Sequence, residues 1–318
     1  MLPTSGPERP PWSRDAAWAA EVGKHIDPDA TDPRTHVTTG VLVDDDGHRF
    51  DEPLVSGENS EWFVKADTYL REHLQAPAVR NPRLAAVPSA SHVEVHAAMI
   101  MRERGLTHAT LVINNDRICR GVLGCPPRGG RCLARRLLTH RMDAGCQGTL
   151  RARREAASMI LSAVHDGQWK HASTPDEIES LLHELVYRAD PRHPSDVVLA
   201  DTPFDDASVD YPAQLFRVSA NPEAGMAALL WFLNSADAEL WVSYNPQPPL
   251  EDPWLASDVD TARYHDRFTA IPLSQAHTAL KQFVTSGGQR PANVQWVTGD
   301  YYGRITQALT PASPVHAA

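Results

Sequence analysis

The sequence lacks long hydrophobic runs. No stretch of its 318 residues approaches the roughly 18–20 consecutive apolar residues that a membrane-spanning helix requires. The first residues, MLPTSGPERPPW, also lack the apolar run of a secretory signal. We therefore expect a soluble, cytoplasmic protein that does not associate with membranes. At 42% hydrophobic and 22% charged residues, the chain has the composition of a globular protein.

Cysteine is absent outside one short segment. The four cysteines are Cys119, Cys125, Cys132 and Cys146, all within 28 residues. The disulfide framework of a secreted domain would normally be spread more widely along the chain. In a cytosolic protein, clustered cysteines more often indicate metal or redox chemistry.

Basic residues are scarce in the second half of the chain. Residues 159–318 contain 20 acidic residues against 9 lysines and arginines, whereas residues 128–154 contain eight arginines and one acid, Asp143. Opposite charges of this kind favour association between the two regions. The arginines themselves fit either a solvated basic face, which we favour, or contacts to DNA phosphates.

Two structural units are predicted from the sequence pattern. Residues 1–35 are proline-rich and linker-like, with a short helix predicted near residues 16–25. Residues 36–157 open with a hairpin signal at Asp46-Gly47, two helices and a strand, an α/β order. Residues 158–318 give strand, Asp-Gly turn, strand, acid-capped helix, further strands, a helix and a last strand, which predicts an α+β domain. We place the boundary near Met159.

A possible metal site begins at the second predicted helix. In SHVEVHAAMIMRERG, His92 and Glu94 occupy the first turn, and Cys119 and Cys125 follow the next strand. One histidine and two cysteines can hold zinc and leave a fourth position for water. In zinc-dependent nucleobase deaminases, a glutamate that is not a ligand moves the protons. The alternatives are an ordinary solvated helix start and buried structural cysteines.

The pattern resembles a known toxin family. TTGVLVDDDGHRF, LVSG, SHVEVHAAMIMRERG, ATLVINN and CRGVLGC are similar to the DddA-like cytosine deaminase toxins over roughly residues 38–125. The resemblance implies a deaminase-like mixed sheet with helices, and conversion of cytosine to uracil in DNA. It implies Zn²⁺ held by His92, Cys119 and Cys125, with Glu94 as the proton shuttle. It also implies that Asn114 and Asn115 shape the nucleotide pocket.

The sequence departs from the family after Cys125. The following PPRGG disfavours a continuing helix, and the helix-like pattern moves to CLARRLL, which makes Cys132 a rival ligand. The family's next hydrophobic strand is not visible. We therefore expect an aberrant C-terminal part in the toxin domain, and we hypothesise a frameshift that joined two reading frames.

The second half resembles an immunity-protein family encoded beside deaminase toxins. The similarity spans nearly all of residues 158–305 and includes GQWKHASTPDEIESLLHEL, AELWVSYNP and DRFTAIPLSQAHTALKQFVTSGGQRPANVQW. It implies a binding protein whose partner is a deaminase toxin domain, in cis or in trans. Candidate anchors for that partner are Trp241, Tyr244 and Trp254.

Three functions remain open from the sequence. The first is an immunity domain that neutralises related toxins and carries a degenerate deaminase-like domain. The second is an active zinc-dependent cytosine deaminase that acts on DNA and is inhibited in cis. The third is a structural zinc module joined to an interaction domain.

Overall fold

The structure is a computed structural model of the 318-residue chain. It describes residues 16–24, 26, 37–44, 46–50, 52–73, 87–106, 109–114, 159–205, 212–234, 239–258 and 263–307.

The first half is built on a three-stranded antiparallel sheet. Its strands are β1 (Thr39–Asp44), β2 (Leu54–Val55) and β3 (Ala109–Ile113), in the order β2-β1-β3. Its helices are α1 (Ala16–Gly23), α2 (Glu61–His73) and α3 (Val93–Glu103). A short 3-10 helix, Pro88–Ser91, leads directly into α3.

The small sheet is covered on both faces. Side chains alternate along β1, so that Leu42 faces α3 while Val41 and Val43 face Val22 of α1. Helix α2 packs against α3 through Tyr69 and Leu70, among other residues. As a result α3 is buried nearly all round, and its first turn lies inside the domain.

The described residues of the second half form an eight-stranded antiparallel sheet with two helices. Seven strands run in the order β11-β9-β8-β7-β6-β4-β5, and the short β10 pairs with β8. The strands are β4 (Ile160–His165), β5 (Gln168–Ala172), β6 (Ser195–Ala200), β7 (Gln214–Asn221), β8 (Met226–Leu233), β9 (Glu239–Tyr244), β10 (Ile271–Pro272) and β11 (Gln295–Thr298). The helices are α4 (Pro175–Tyr187) and α5 (Leu273–Thr285).

The two faces of the large sheet differ in chemistry. Helices α4 and α5 bury leucines such as Leu185 and Leu280 against Phe216 and its apolar neighbours on one face. The opposite face carries an apolar cluster around Leu215 and also a polar cluster that includes Arg217. Side chains alternate between the two faces along β7, so Phe216 lies on one face and Leu215 and Arg217 lie on the other.

The predicted fold class is confirmed. The chain has an α/β unit followed by a sheet-rich α+β unit, and α2, α3, α4, α5 and most strands lie where the patterns predicted them. Strand β6 and the short strands β2 and β10 were not predicted. Helix α1 packs on the small sheet from within the segment we interpreted as linker-like. The boundary near Met159 stays a prediction. None of the described helices combines the length and the apolar character needed to cross a bilayer.

Candidate functional site

The first turn of α3 carries two of the predicted site residues. His92 is the N-cap residue in an extended conformation, and its side chain makes no capping hydrogen bond to the helix. Its backbone N–H donates to the Ser89 carbonyl at 3.2 Å, so the preceding 3-10 helix fixes its position. The His92 residue is 3% exposed. The His92 imidazole is therefore buried at the start of the helix and does not serve as its cap.

Glu94 lies in the same turn, and its carboxylate is also inaccessible to solvent. Both carboxylate oxygens are buried, and neither has a hydrogen-bond partner among the residues that the structure describes. Burying such a group without a partner costs free energy. A cost of this kind is typical of functional sites, where the side chain takes part in catalysis or binding.

A second histidine, one turn further along α3, has a structural role. His96 is fully buried, and its Nε2 lies 2.9 Å from the Ala90 carbonyl. Burial lowers its pKa to about 4, although hydrogen bonds to the Ala90 and Val55 backbones act in the opposite direction. His96 is therefore a neutral core residue that holds the 3-10 helix against α3.

Asn114 lies at the end of β3 and joins the strands of the small sheet. Its Oδ1 accepts from the Thr39 backbone N–H at 2.8 Å, and its backbone N–H donates to the Thr39 carbonyl at 3.0 Å. Its role in a nucleotide pocket stays a prediction. The other predicted site residues, Asn115, Cys119, Cys125 and Cys132, lie outside the described residues, as does the arginine-rich segment.

Three loop segments of the second half reach the start of α3. We call residues 255–258, 263–266 and 299–305 the capping loops. Backbone hydrogen bonds join them: Ser257 N–H donates to the Arg263 carbonyl at 2.9 Å, and Asp266 N–H donates to the Gly303 carbonyl at 3.1 Å. Gly303 has a φ of +75°, and a Cβ there would collide with the His265 ring. The loops therefore pack as one unit with no room for a side chain at this position.

Asp258 of the capping loops faces His92. The distance from His92 Nε2 to Asp258 Oδ1 is 3.6 Å, and the two side chains are 4% and 7% exposed. Tyr302 is buried near them, at 2% exposure. Burial and then Asp258 raise the pKa of its phenol to about 12, while Arg263, Ser91 and His92 act in the opposite direction. An acid and a phenol from the second half thus close over the turn that carries His92 and Glu94.

An ion pair at the edge of this contact joins the two halves directly. Arg263 Nη1 lies 3.0 Å from Glu58 Oε1, and its guanidinium stacks 4.0 Å above the Tyr302 ring. Glu58 follows Gly57, whose N–H donates to the Ser91 carbonyl at 2.8 Å. The ion pair therefore connects the capping loops to the backbone that precedes His92.

A buried arginine supports the capping loops from the sheet. Arg217 donates to both carboxylate oxygens of Asp196 at 2.7 and 3.2 Å, to the Ser257 carbonyl at 3.0 Å and to the Tyr301 hydroxyl at 2.6 Å. Burial alone would lower the pKa of its guanidinium, but Asp196, Tyr301 and Asp258 raise the pKa above its ordinary value. Arg217 is thus permanently charged and holds the residues that adjoin Asp258 and Tyr302.

One further group has the composition of a cation site. Ligand atoms of Asp44, Asp46 and His48 lie within 4.8 Å of one another at the turn after β1. Asp44 Oδ1 accepts from the backbone N–H groups of Asp46 and His48 at 3.0 and 2.9 Å. These bonds account for the cluster as a turn, and it lies apart from the predicted zinc ligands in the sequence.

Two family models match consecutive parts of the chain. The model described as SCP1.201-like deaminase matches residues 6–166, just over half of the sequence. The chain belongs to the SCP1.201-like deaminase family. In this member of the family the second part, residues 168–298, matches the model described as Immunity protein Imm1. No match was found among curated proteins or among solved structures.

The comparisons give the two halves of this SCP1.201-like deaminase their names. We call residues 16–114 the deaminase-like half and residues 159–307 the Imm1 half. The chain is a fusion of a deaminase-like domain with an immunity domain. Asp258, Arg263 and Tyr302, which meet the deaminase-like half, were not predicted from the sequence. They lie in polar loops without hydrophobic periodicity, so that no pattern indicated them.

The described residues fit the zinc that deaminases of this fold generally use. His92 offers a buried imidazole nitrogen, and Glu94 offers a buried carboxylate without a partner in the described part. His92 would be the nitrogen ligand and Glu94 the proton carrier. Any thiolate ligands would come from Cys119, Cys125 or Cys132, outside the described residues.

Proposed function

We propose that the Imm1 half binds and neutralises a DddA-like DNA cytosine deaminase, and that it does so here on its own chain. The observation that carries the proposal is the contact of Asp258 and Tyr302 with the turn that holds His92 and Glu94. A nucleobase would have to reach the same turn, so the capping loops and the substrate exclude one another. Inhibition then follows from occupancy of the pocket.

The charge of the Imm1 half supports binding in trans as well. An acidic surface speeds encounter with a basic deaminase and competes with DNA phosphates for it. Trp254, one of the candidate anchors, is 42% exposed, with a φ of +50° that side-chain-bearing residues rarely adopt. It lies close in sequence to Asp258, and under this proposal it would extend the contact. Trp241 and Tyr244 instead pack on the two faces of the large sheet.

A second function is favoured by Glu94. A degenerate site would gain stability by replacing a buried carboxylate that has no described partner. Its retention supports an active cytosine deaminase that the Imm1 half restrains in cis. In such an enzyme zinc would supply an acidified water as the nucleophile. His92 would orient the metal, and Glu94 would carry a proton from that water to the ring and the leaving amine.

The ion pair between the halves offers a direct test in the full chain. Arg263→Glu places like charges opposite each other and should open the capping loops. Glu58→Arg combined with Arg263→Glu restores the attraction with the charges exchanged. A matched control is Lys281→Glu, which breaks the 2.9 Å pair with Glu179 inside the Imm1 half.

Two readouts follow these variants. Hydrogen exchange at the Gly57 amide and the first turn of α3 should become faster in Arg263→Glu and recover in the double variant. Uracil formation in a cytosine-containing DNA duplex, with zinc supplied and Glu94→Gln as the blank, should appear in Arg263→Glu if the enzyme is active. If the capping loops open in Arg263→Glu but no uracil forms, neutralisation would remain the proposed function of the chain. Unchanged exchange in Arg263→Glu would sink the proposal. A full chain that forms no uracil and unfolds when zinc is removed would instead support a structural zinc module.

A further inference from the structure

One arginine of the Imm1 half has no acceptor for its side chain. Arg290 lies in the loop after α5, and no hydrogen bond or ion pair joins its guanidinium to any residue that the structure describes. Its Nη1 atom is nevertheless buried. Six of the nine lysines and arginines in residues 159–318 pair with a carboxylate, as Lys281 does with Glu179. Arg290 is therefore unusual in a half that contains 20 acidic residues.

Two tryptophans hold the guanidinium in place. Its Cζ atom lies 3.9 Å from the centroid of the Trp241 ring and 5.6 Å from that of the Trp231 ring. The Trp241 ring is itself oriented, because its Nε1 donates to Glu239 Oε2 at 3.0 Å. Stacking on an indole face stabilises a cation without using its N–H groups. Since these groups lie in the plane of the guanidinium, they stay directed outward for a ligand.

The backbone on both sides of Arg290 is also anchored. Trp231 Nε1 donates to the Gly288 carbonyl at 3.0 Å. Trp296 Nε1 donates to the Pro291 carbonyl at 2.7 Å. Gly288 also has a φ of +93°, a conformation that favours glycine. Three tryptophans together thus present one arginine in a fixed position, and such preorganisation reduces the conformational entropy lost on binding.

The chemistry of this arginine favours a carboxylate as its ligand. Burial lowers the pKa of Arg290, and Glu239 acts in the opposite direction. Partial burial of a charge without a hydrogen bond costs free energy, which an incoming acceptor would recover. A carboxylate matches two parallel N–H groups of a guanidinium. The excess of acidic residues in the Imm1 half repels a polyanion such as nucleic acid, so a single carboxylate fits better than a phosphate backbone.

The arginine lies on the face of the large sheet that is opposite the capping loops. Trp231 and Trp241 are paired residues of β8 and β9, and both belong to the apolar cluster beneath α4 and α5. Arg217, which supports the capping loops, lies on the other face. A second protein can therefore approach Arg290 while the capping loops stay in contact with the first turn of α3.

We propose that Arg290 and Trp241 form a docking site for an acidic side chain of a second protein. Arg290 donates two N–H groups to the carboxylate, and Trp241 is the positioning residue that keeps the guanidinium flat. No covalent bond forms or breaks. The site is separate from the contact of Asp258 and Tyr302, so that failure of this inference leaves the proposed neutralisation intact.

The test is an NMR titration of the ¹⁵N-labelled full chain with blocked tripeptides that carry glutamate, glutamine or phosphoserine between two glycines. The glutamate peptide should give saturable shifts at Arg290 Nε–H and at the Trp241 indole. The glutamine peptide should bind at least about tenfold more weakly, because the charge-assisted hydrogen bonds are lost. Equal binding of these two peptides would overturn the inference. Tighter binding of the phosphoserine peptide would also overturn it, since the site would then select phosphate.

Variants of the full chain locate the binding. Arg290→Gln should abolish the shifts, and Arg290→Lys should weaken binding by at least about tenfold although it keeps the charge, because an ammonium group cannot bind a carboxylate through two parallel N–H groups. Arg188→Gln is the matched control, since Arg188 is an exposed arginine after α4 with no described indole beneath it, and its affinity should be unchanged.

The positioning role of Trp241 has its own readout. Trp241→Leu should weaken binding of the glutamate peptide and speed the exchange of Arg290 Nε–H with water, while Trp241→Phe should restore part of both. Unchanged indole signals of Trp231 and Trp296 would show that the loop keeps its structure in each variant. Retained affinity in Arg290→Gln, with these signals unchanged, would overturn the inference.

Discussion

Helices α3 and α4 each carry a glutamate in the first turn, and the surroundings of these two glutamates differ in opposite ways. In α4, Glu177 is exposed and accepts from the backbone N–H groups of Ser173 and Thr174, each at 3.0 Å, while Thr174 Oγ1 accepts from Glu177 N–H. In α3, Glu94 is buried and has no described partner. Glu177 completes a capping box that stabilises its helix. The Glu94 carboxylate makes no capping hydrogen bond within the described residues.

The same contrast extends to the two halves. Arg217 of the Imm1 half is buried with every described contact directed to an acceptor, whereas Glu94 of the deaminase-like half is buried without one. Satisfied buried charges belong to a scaffold, and an unsatisfied one belongs to a site that expects a ligand. Variants of these residues test this difference between the two halves.

The largest effect is expected from Arg217→Met. Removal of the guanidinium leaves Asp196 buried without its ion pair, which should lower the free energy of unfolding of the Imm1 half by about 3–5 kcal/mol. Urea unfolding followed by tryptophan fluorescence measures this. Replacing Asp196 by Leu in the same variant should recover much of the loss. A loss below about 1 kcal/mol would mean that the cluster is not part of the scaffold.

A smaller effect is expected from protonation of His96 at low pH. Its folded pKa of about 4 lies below the ordinary 6.5, so burial of the neutral ring contributes stability that is complete above pH 6.5 and is lost as the pH falls to about 4. The loss should be about 3 kcal/mol over that range. His96→Gln should flatten the pH dependence of unfolding of the deaminase-like half, while His48→Gln, at an exposed position, should not. Parallel pH profiles for wild type and His96→Gln would contradict this.

Glu94→Gln should stabilise the deaminase-like half. Replacing a buried, unpartnered carboxylate by a neutral amide should raise the free energy of unfolding by about 1 kcal/mol. Thermal unfolding of the full chain, with hydrogen exchange at α3, measures the change. Destabilisation would show that Glu94 is satisfied as a structural residue, which would remove the contrast with α4.

Thr174→Ala should have an effect of similar size and opposite sign. Loss of the N-cap hydroxyl costs about 1 kcal/mol. The capping box also lowers the pKa of Glu177 to about 2, through the backbone N–H groups of Ser173 and then Thr174. Its contribution to stability is therefore present above pH 4.5 and lost as the pH falls towards 2. NMR titration of Glu177 in Thr174→Ala should give a higher pKa. An unchanged value would mean that the box does not form.

Much of the fold could be predicted because its signals are local. Asp166-Gly167 marks the β4–β5 hairpin, and both residues have the positive φ that such a turn requires. Gly105 ends α3 with a φ of +68°, as expected of a glycine after a helix. Strand β6 was missed because SDVVLA has only a short apolar run without alternation.

The site could be predicted only in part. His92 and Glu94 are two residues apart, so their shared turn follows from helical geometry. Asp258 and Tyr302 lie more than 160 residues further along the chain, in loops whose path depends on the packing of Arg217 and His265 beneath them. Contacts of this kind leave no periodic trace in a single sequence.

The glycine at position 303 gives the capping loops an evolutionary consequence. Any side chain there would strike the His265 ring, so one nucleotide change that converts Gly303 to alanine would push these loops away from α3. If the Imm1 half restrains an active deaminase as proposed, such a change should release that activity. In a lineage whose deaminase-like half has decayed, only the binding of toxins in trans would still favour glycine at this position. Substitution of Gly303 in natural sequences would therefore indicate that the Imm1 half no longer has to restrain an active deaminase.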